Sequence, residues 1–388
     1  MMSARQLRRL DWPVVIAVLA LVAFGWPFMR SASYRSGPEG HGYYTSSPGK
    51  QVVWIAVSVV AALVLLIPSY RTLANLSVFL YAGGLLLLIA VMWFGRVING
   101  AKSWLILPGD VRLQPSELVK ITTVVALAHV LASQQRIRRM GTVLSALLLA
   151  AVPAAMIAAQ PDLGTALMFV PAAAAMIFVA GARLKHLAVL GGIALVLFPL
   201  AWLVMSHTQR SRITTWREQG RPLTRAERVG RFHHQIQSRV AIASGRLTGK
   251  GLGNGTQNRL NYLGFRNTDF VFAVICEEAG FLGANVIIVL YLLLAGAGLN
   301  IAGRCREPVG RLMAVGAAAL LVGQAFVNVA MTAGLLPIVG ITLPFVSYGG
   351  SSVLSSFLAV SLILNVGLRR PKVTFAREEL GVGPPPRS

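Results

Sequence analysis

The 388-residue chain is 55% hydrophobic and 13% charged, with a mean hydropathy of +0.66. That is too apolar for a soluble domain of this size and fits a polytopic membrane protein. Its 36 Lys and Arg against 13 Asp and Glu would suggest nucleic acid in a soluble protein. Here the excess points to topology and anionic lipid head groups, so membrane lipids and no nucleic acid are the expected partners.

A basic start (Arg5, Arg8, Arg9) leads into an apolar run over 13–29. Ser31-Ala32-Ser33 could mimic a signal-peptidase site, but the many later runs favour an uncleaved first helix. Further runs cover 52–67, 76–94, 118–132, 143–159, 163–180, 187–205, 270–299, 312–336 and 353–368. Each is near the roughly 20 residues that cross a bilayer. The expected fold is an all-α polytopic membrane protein of ten transmembrane helices, with a large extracytoplasmic loop between the seventh and eighth. One membrane domain fills residues 1–370, residues 206–268 form the exterior loop, and 371–388 form a disordered cytoplasmic tail ending in Pro384-Pro385-Pro386.

Ten spans put both termini on one side. The loops on that side carry Arg71, Arg136, Arg138, Arg139, Arg183, Lys185, Arg304, Arg306 and Arg311, and Arg369, Arg370 and Lys372 follow the last span. The positive-inside rule places both termini in the cytoplasm. The exterior loop holds twelve Lys and Arg, but long segments cross largely regardless of charge. Within it, Val229, Phe232, Ile236, Val240 and Ala243 recur at helical spacing, as expected of an amphipathic helix in the outer interface. The glycines from Gly245 to Gly255 match neither nucleotide-binding spacing, and read as a connector or as amides facing a phosphate. Cys276 and Cys305 fall on opposite sides of the membrane in this topology and are not expected to pair.

The spans that descend from outside begin with unusual residues. The fourth opens with Gln114-Pro115-Ser116-Glu117, the sixth with Gln160-Pro161-Asp162, the eighth with Thr268-Asp269, and the tenth with Pro344-Phe345-Val346-Ser347-Tyr348-Gly349-Gly350-Ser351. Each can be read as a helix cap, with Glu117 suited to a capping box. Together, four helix N-termini on one face suit an anion, aided by Arg112 and Lys120. Glu117 and Lys120, three apart, can also pair with each other. Asp269 sits where water gives way to hydrocarbon, where a carboxylate is costly and points to function. Trp104 is either an interfacial anchor or a wall of the site.

Gly100-Ala101-Lys102-Ser103-Trp104, Gln114-Pro115-Ser116-Glu117-Leu118-Val119-Lys120, Gln160-Pro161-Asp162-Leu163-Gly164-Thr165, Thr268-Asp269-Phe270-Val271-Phe272-Ala273 and Leu343–Ser352 resemble, in order, the motifs of the SEDS family, the RodA and FtsW proteins. The resemblance implies a peptidoglycan glycosyltransferase in the bacterial cytoplasmic membrane that polymerises lipid II beside a class B penicillin-binding protein. It implies that Asp269 is the essential, catalytic aspartate, and that Arg112, Glu117 and Lys120 line a central cavity. Trp104, Asp162, Ser347 and Ser351 complete the candidate substrate-binding set. Gly255-Thr256-Gln257 and 336–340 look more like RodA than FtsW. The family usually has Pro and an acidic residue, then His-Thr-Asp, ahead of the eighth span; this chain has Gly264 for the Pro and Asn267 for the His. A divalent cation, magnesium or manganese, would suit a bridge between pyrophosphate and carboxylate, with its ligands left open. A flippase for the same lipid would use the cavity without a base, and a membrane scaffold would need neither.

Overall fold

Long runs of Leu, Val, Ala and Ile can satisfy their backbone in hydrocarbon only by forming helices, and the computed structural model is built from them. It describes residues 10–36, 42–44, 47–98, 100–108, 111–133, 140–183, 205–222 and 232–369, with isolated positions between. Among the described residues the chain up to residue 244 holds ten α-helices, the last two of them within the exterior segment, and two small sheets. They are α1 (Trp12–Ala32), β1 (Tyr34–Ser36), β2 (Gly42–Tyr44), α2 (Ser47–Leu65), α3 (Tyr70–Asn75), α4 (Ser77–Phe94), β3 (Arg96–Ile98), β4 (Ala101–Leu107), β5 (Val111–Leu113), α5 (Pro115–Ser133), α6 (Met140–Ala159), α7 (Leu163–Leu167), α8 (Phe169–Val179), α9 (His207–Arg217) and α10 (His233–Ser244). Then follow α11 (Thr256–Arg259), still in the exterior segment, and beyond it α12 (Val271–Arg304), α13 (Pro308–Thr332) and α14 (Gly350–Leu368).

Among the described residues eight helices are long and apolar enough to cross a membrane, and α7 with α8 forms a shorter apolar pair. The expected sixth span is broken at Met168, where α7 gives way to α8. The expected seventh, 187–205, lies almost wholly outside the described residues, as do Arg5, Arg8, Arg9, Arg136, Arg138, Arg139 and the tail. The chain is a multi-pass membrane protein of all-α class. Its small sheets, both antiparallel, belong to the connections: β1 pairs β2, and β3-β4-β5 form a meander before α5.

α5, α13 and α14 form the middle of the bundle, 67%, 72% and 83% buried over their apolar windows, whereas α2 is only 11% buried. In lipid the rim helices can stay apolar all round, so this difference marks which helices can host polar side chains sheltered from hydrocarbon. α13 packs on α5, α8, α12 and α14, and α14 packs on α2.

The Gly-rich segment is not a free connector. α12 breaks at Gly280, whose φ of 66° and ψ of −161° are non-helical. The backbone opened there is taken up by the loop. Lys250 N–H donates to Glu277 O (3.0 Å) and Gly251 N–H to Glu278 O (2.9 Å), while Phe281 and Leu282 N–H donate to Arg246 and Leu247 carbonyls. A Cβ on Gly245 would lie 1.8 Å from Cys276 O, and one on Gly249 2.2 Å from Glu278 O. Glycine is required because two backbones touch. Glu277, fully buried, accepts from Lys250 Nζ (2.7 Å), Thr256 Oγ1 (3.1 Å) and the Gln257 and Asn258 amides, so the acid clamps the loop. Ser31 donates to Glu278 Oε1 (2.6 Å), so the Ser31-Ala32-Ser33 stretch is tied into the fold at the end of α1.

The exterior helix also differs from the expected one. On α10 the buried positions after Phe232 are Gln235, Ser238 and Ala241, which face α12 and α13, and Ser238 donates to Thr332 O (2.7 Å). Val240 is exposed. The helix therefore turns a polar, small-residue face to protein, while Val229 lies outside the described residues. Cys276 and Cys305 are free and buried.

Candidate functional site

The four unusual helix starts come together. Gln114, just ahead of α5, donates from Nε2 to Asp162 Oδ2 (2.7 Å), and its backbone N–H donates to Ser351 Oγ (2.9 Å). Ser351, in the first turn of α14, also donates to Arg112 O (3.4 Å). Ser347 Oγ donates to Thr268 O (2.5 Å) and accepts from Leu343 N–H (2.8 Å). Asn328 Nδ2, from α13, donates to the Asp269 and Ile341 carbonyls. Ser347 and Ser351 are thus struts that fix the backbones around Asp269 and Arg112.

Below this rim lies a buried charge pair. Lys120 Nζ donates to Glu117 Oε1 and Gln324 Oε1, both at 2.9 Å, and Ser355 Oγ donates to Glu117 Oε2. Gln324 passes the network on to Thr342 and Ser352. Glu117 is 5% and Lys120 3% exposed, so the pair survives only because each charge is matched and hydrogen-bonded. The expected capping box is not formed; Glu117 turns inward instead.

Asp162 caps α7 as expected, accepting from Thr165 N–H and Oγ1. Burial pushes its carboxyl above the ordinary range; Glu117 adds to the rise and Lys120 opposes it. Asp269 is not a cap. α12 has Phe270 at its N-cap with no side-chain capping bond. Burial pushes the Asp269 carboxyl up to about 6, against a Thr268 hydrogen bond and the Arg212 charge, while Asp162 pushes it further up. Asp269, Asp162, Glu117 and Lys120 thus form one chain of mutually sensing charges.

Arg212, on α9, was not singled out from the sequence. Its Nη1 donates to Val339 O (3.3 Å), beside Gly340. It was one of twelve exterior cations, and no spacing marked it. Arg112, exposed on β5, stands at the rim. The structure places Trp104 on β4, in register with Arg96 and partly buried, on a sheet that packs against α4 and α5.

Two departures from the family motif now have physical reasons. A Cβ at residue 264 would lie 2.4 Å from His234 Cε1, so glycine makes room for that ring, which packs against Phe265 and Phe270. Proline would collide there. Asn267 does not reach Asp269: its Nδ2 donates to Ser47 Oγ (3.4 Å) and its carbonyl accepts from Tyr348 N–H.

The FtsW/RodA/SpoVE cell cycle protein family matches residues 12–371. The chain is 33% identical over 362 residues to the peptidoglycan glycosyltransferase MrdB of Escherichia coli (strain K12), covering 93% of this chain and 94% of that one. It is 34% identical over 379 residues to the probable peptidoglycan glycosyltransferase FtsW of Geobacter metallireducens, covering 95% and 97%. Among solved structures, the rod shape determining protein RodA of Thermus thermophilus superposes with a TM-score of 0.68 at 30% identity, covering 93% and 97%. A chain of a peptidoglycan synthase complex, studied for coordination of polymerization and crosslinking, superposes with a TM-score of 0.75 at 31% identity, covering 94% and 99%. With this match over nearly its whole length, the chain belongs to the FtsW/RodA/SpoVE family, the SEDS proteins, its structural neighbours including RodA.

Proposed function

We propose that this protein is a peptidoglycan glycosyltransferase that polymerises lipid II at the outer face of the bacterial cytoplasmic membrane, with both termini in the cytoplasm and residues 206–268 outside. Kinship with the MrdB and FtsW enzymes supports the reaction class. The observation that carries the chemistry is Asp269: a carboxylate with a pKa near 6, free of capping duty, beside Arg212 at the meeting point of four helix starts.

In this reading an acceptor sugar hydroxyl attacks the anomeric carbon of the donor. The new glycosidic C–O bond forms as the bond to the pyrophosphate breaks. Asp269 takes the hydroxyl proton, a base with a pKa close to the working pH. Arg212 and Arg112 hold the departing pyrophosphate, assisted by the helix starts. Glu117, Lys120 and Asp162 set the field of the cavity, and Ser347 and Ser351 hold its rim. Trp104 stands further out, as an interfacial wall on the approach. A divalent cation brought in with substrate would take one or two carboxylates plus phosphate oxygens; Asp269 is the carboxylate for it, since both Asp162 oxygens already accept from Gln114 and Thr165. Bound there, the cation would add positive charge for the leaving pyrophosphate.

A class B penicillin-binding protein is the proposed partner, by analogy with the synthase complex above. A flippase would use the same polar cavity without a base, and the place of Asp269 just ahead of α12, not midway along a span, supports chemistry over transport. The test is purified protein with its partner and labelled lipid II: glycan polymer supports the reading, and translocation of lipid without polymer would overturn it.

A further inference from the structure

A second cavity, of about 570 Å³, opens where the end of α1 meets the exterior loop, and none of its lining residues belongs to the polar network around Asp269. One wall is Trp26, Arg30 and Tyr34, from the last turns of α1 and the residues after it; the other is Leu252, Asn258 and Arg259. α1 is a membrane span whose last turn contains Arg30. The cavity therefore sits at the level where hydrocarbon meets water, the depth at which Trp and Tyr are favoured.

Its chemistry has two parts. Two exposed arginines line it, Arg30 from α1 and Arg259 from the exterior loop. Trp26 and an exposed Leu252 supply the apolar part. Glu278 is the neighbouring acid. It does not line the cavity, is 2% exposed, and has Oε1 held by Ser31 (2.6 Å) and Asn258 Nδ2 (2.9 Å). Guanidinium groups match phosphate oxygens in geometry and charge. A free phosphate would leave the indole and the leucine without a role, whereas a lipid uses both parts.

We propose that this cavity binds an anionic phospholipid of the outer leaflet, its phosphate between Arg30 and Arg259 and its acyl chain along Trp26 and Leu252. The bound lipid also braces the segment that carries Asp269. Arg266, three residues before Asp269, donates to the carbonyls of Ala32 (2.9 Å), Tyr34 and Asn258. It thereby ties the two walls to each other and to that segment.

The test is native mass spectrometry of the full-length protein titrated with phosphatidylglycerol or phosphatidylcholine. Wild type should retain one more phosphatidylglycerol than the Arg30→Gln/Arg259→Gln variant, with affinity lower by roughly tenfold or more in the variant, as expected for lost charge-assisted hydrogen bonds. Retention of phosphatidylcholine should be equal in both. Leu252→Asp, at an exposed loop side chain, should lose the same lipid with the helices untouched, and it carries the test should the arginine variant fail to fold. Equal phosphatidylglycerol retention by wild type and the folded variants would overturn the proposal. Displacement of the lipid by millimolar inorganic phosphate would also overturn it, assigning the cavity to a soluble anion.

Discussion

Arg212 and Asp269 converge on Gly340: a methyl group on that glycine would lie 3.9 Å from Arg212 Nη1 and 3.5 Å from Asp269 Oδ2. Gly340 also holds a φ of +75°, which side-chain-bearing residues rarely adopt. Both distances are ordinary van der Waals contacts, so it is the backbone conformation, not crowding, that calls for glycine between the two charged groups. Polymerisation should therefore rise with pH through about 6, as the Asp269 carboxyl loses its proton. Arg212 favours the charged carboxylate, so Arg212→Gln should move the midpoint upward. Asp162 disfavours it, so Asp162→Asn should move the midpoint downward. The pH–rate profiles of the three proteins check this; shifts in the same direction would contradict the assigned charges.

The buried pair makes a different kind of prediction. Lys120→Met leaves Glu117 without its cation and should cost about 3–5 kcal/mol, the range for breaking one side of a buried ion pair. Glu117→Gln/Lys120→Met removes both charges and should recover most of that loss, because Gln can still accept from Ser355. Activity should stay low in both. Thermal unfolding in detergent separates the two effects, and a double variant no more stable than the single would argue against the pairing.

Much of this was open to reading from the chain. Among the described residues every apolar run is helical, that over 163–180 as two helices, since hydrocarbon leaves a backbone few alternatives; the run 187–205 lies almost wholly outside them. The convergence of Gln114, Asp162, Asp269 and Ser351 was visible because each opens a helix from the same side. What stayed hidden depended on contacts between distant segments. Nothing local distinguishes Arg212 from its eleven fellow cations, and only the fold sets it beside Gly340. The glycines after Ser244 looked like a linker because the kink at Gly280 that receives them is thirty-odd residues away in sequence. The inward turn of Glu117 was likewise set by Ser355, on another helix.

That kink gives a prediction of its own. Gly249→Ala imposes a side chain at a φ of +80° and 2.2 Å from Glu278 O. The left-handed conformation alone costs about 1–2 kcal/mol, and the clash adds to it. Gly253→Ala, at a φ of +74° with open space around it, should bear only the first cost. Comparing their melting temperatures checks whether backbone contact at the kink holds the loop in place.

Topology can be tested across α12. Thr248 is exposed on the loop that packs at the Gly280 kink, in the first third of this helix, and Arg306 is exposed just past its other end. With the two native cysteines buried, a membrane-impermeant thiol reagent should label Thr248→Cys in intact spheroplasts. Arg306→Cys should react only after permeabilisation. Reversed labelling would turn the whole charge network to face the cytoplasm and remove the basis for extracellular polymerisation.

The sharpest prediction is that Asp269→Asn abolishes glycan polymer while leaving fold and partner binding intact. Asparagine has the same size and can keep the Thr268 hydrogen bond that the carboxylate makes. The backbone tie from Asn328 to the residue 269 carbonyl does not depend on the side chain. Phe270, not Asp269, is the cap of α12, so helix stability should hardly change. What the amide cannot do is accept a proton from a sugar hydroxyl or lend charge to a cation. Loss of a general base typically costs about 10²- to 10⁴-fold in rate, which for a slow polymerase reads as no product. The measurement is polymer formed from labelled lipid II, run beside thermal unfolding and partner co-purification. Substantial polymer from a folded, partner-bound Asn variant would remove Asp269 from the role of base.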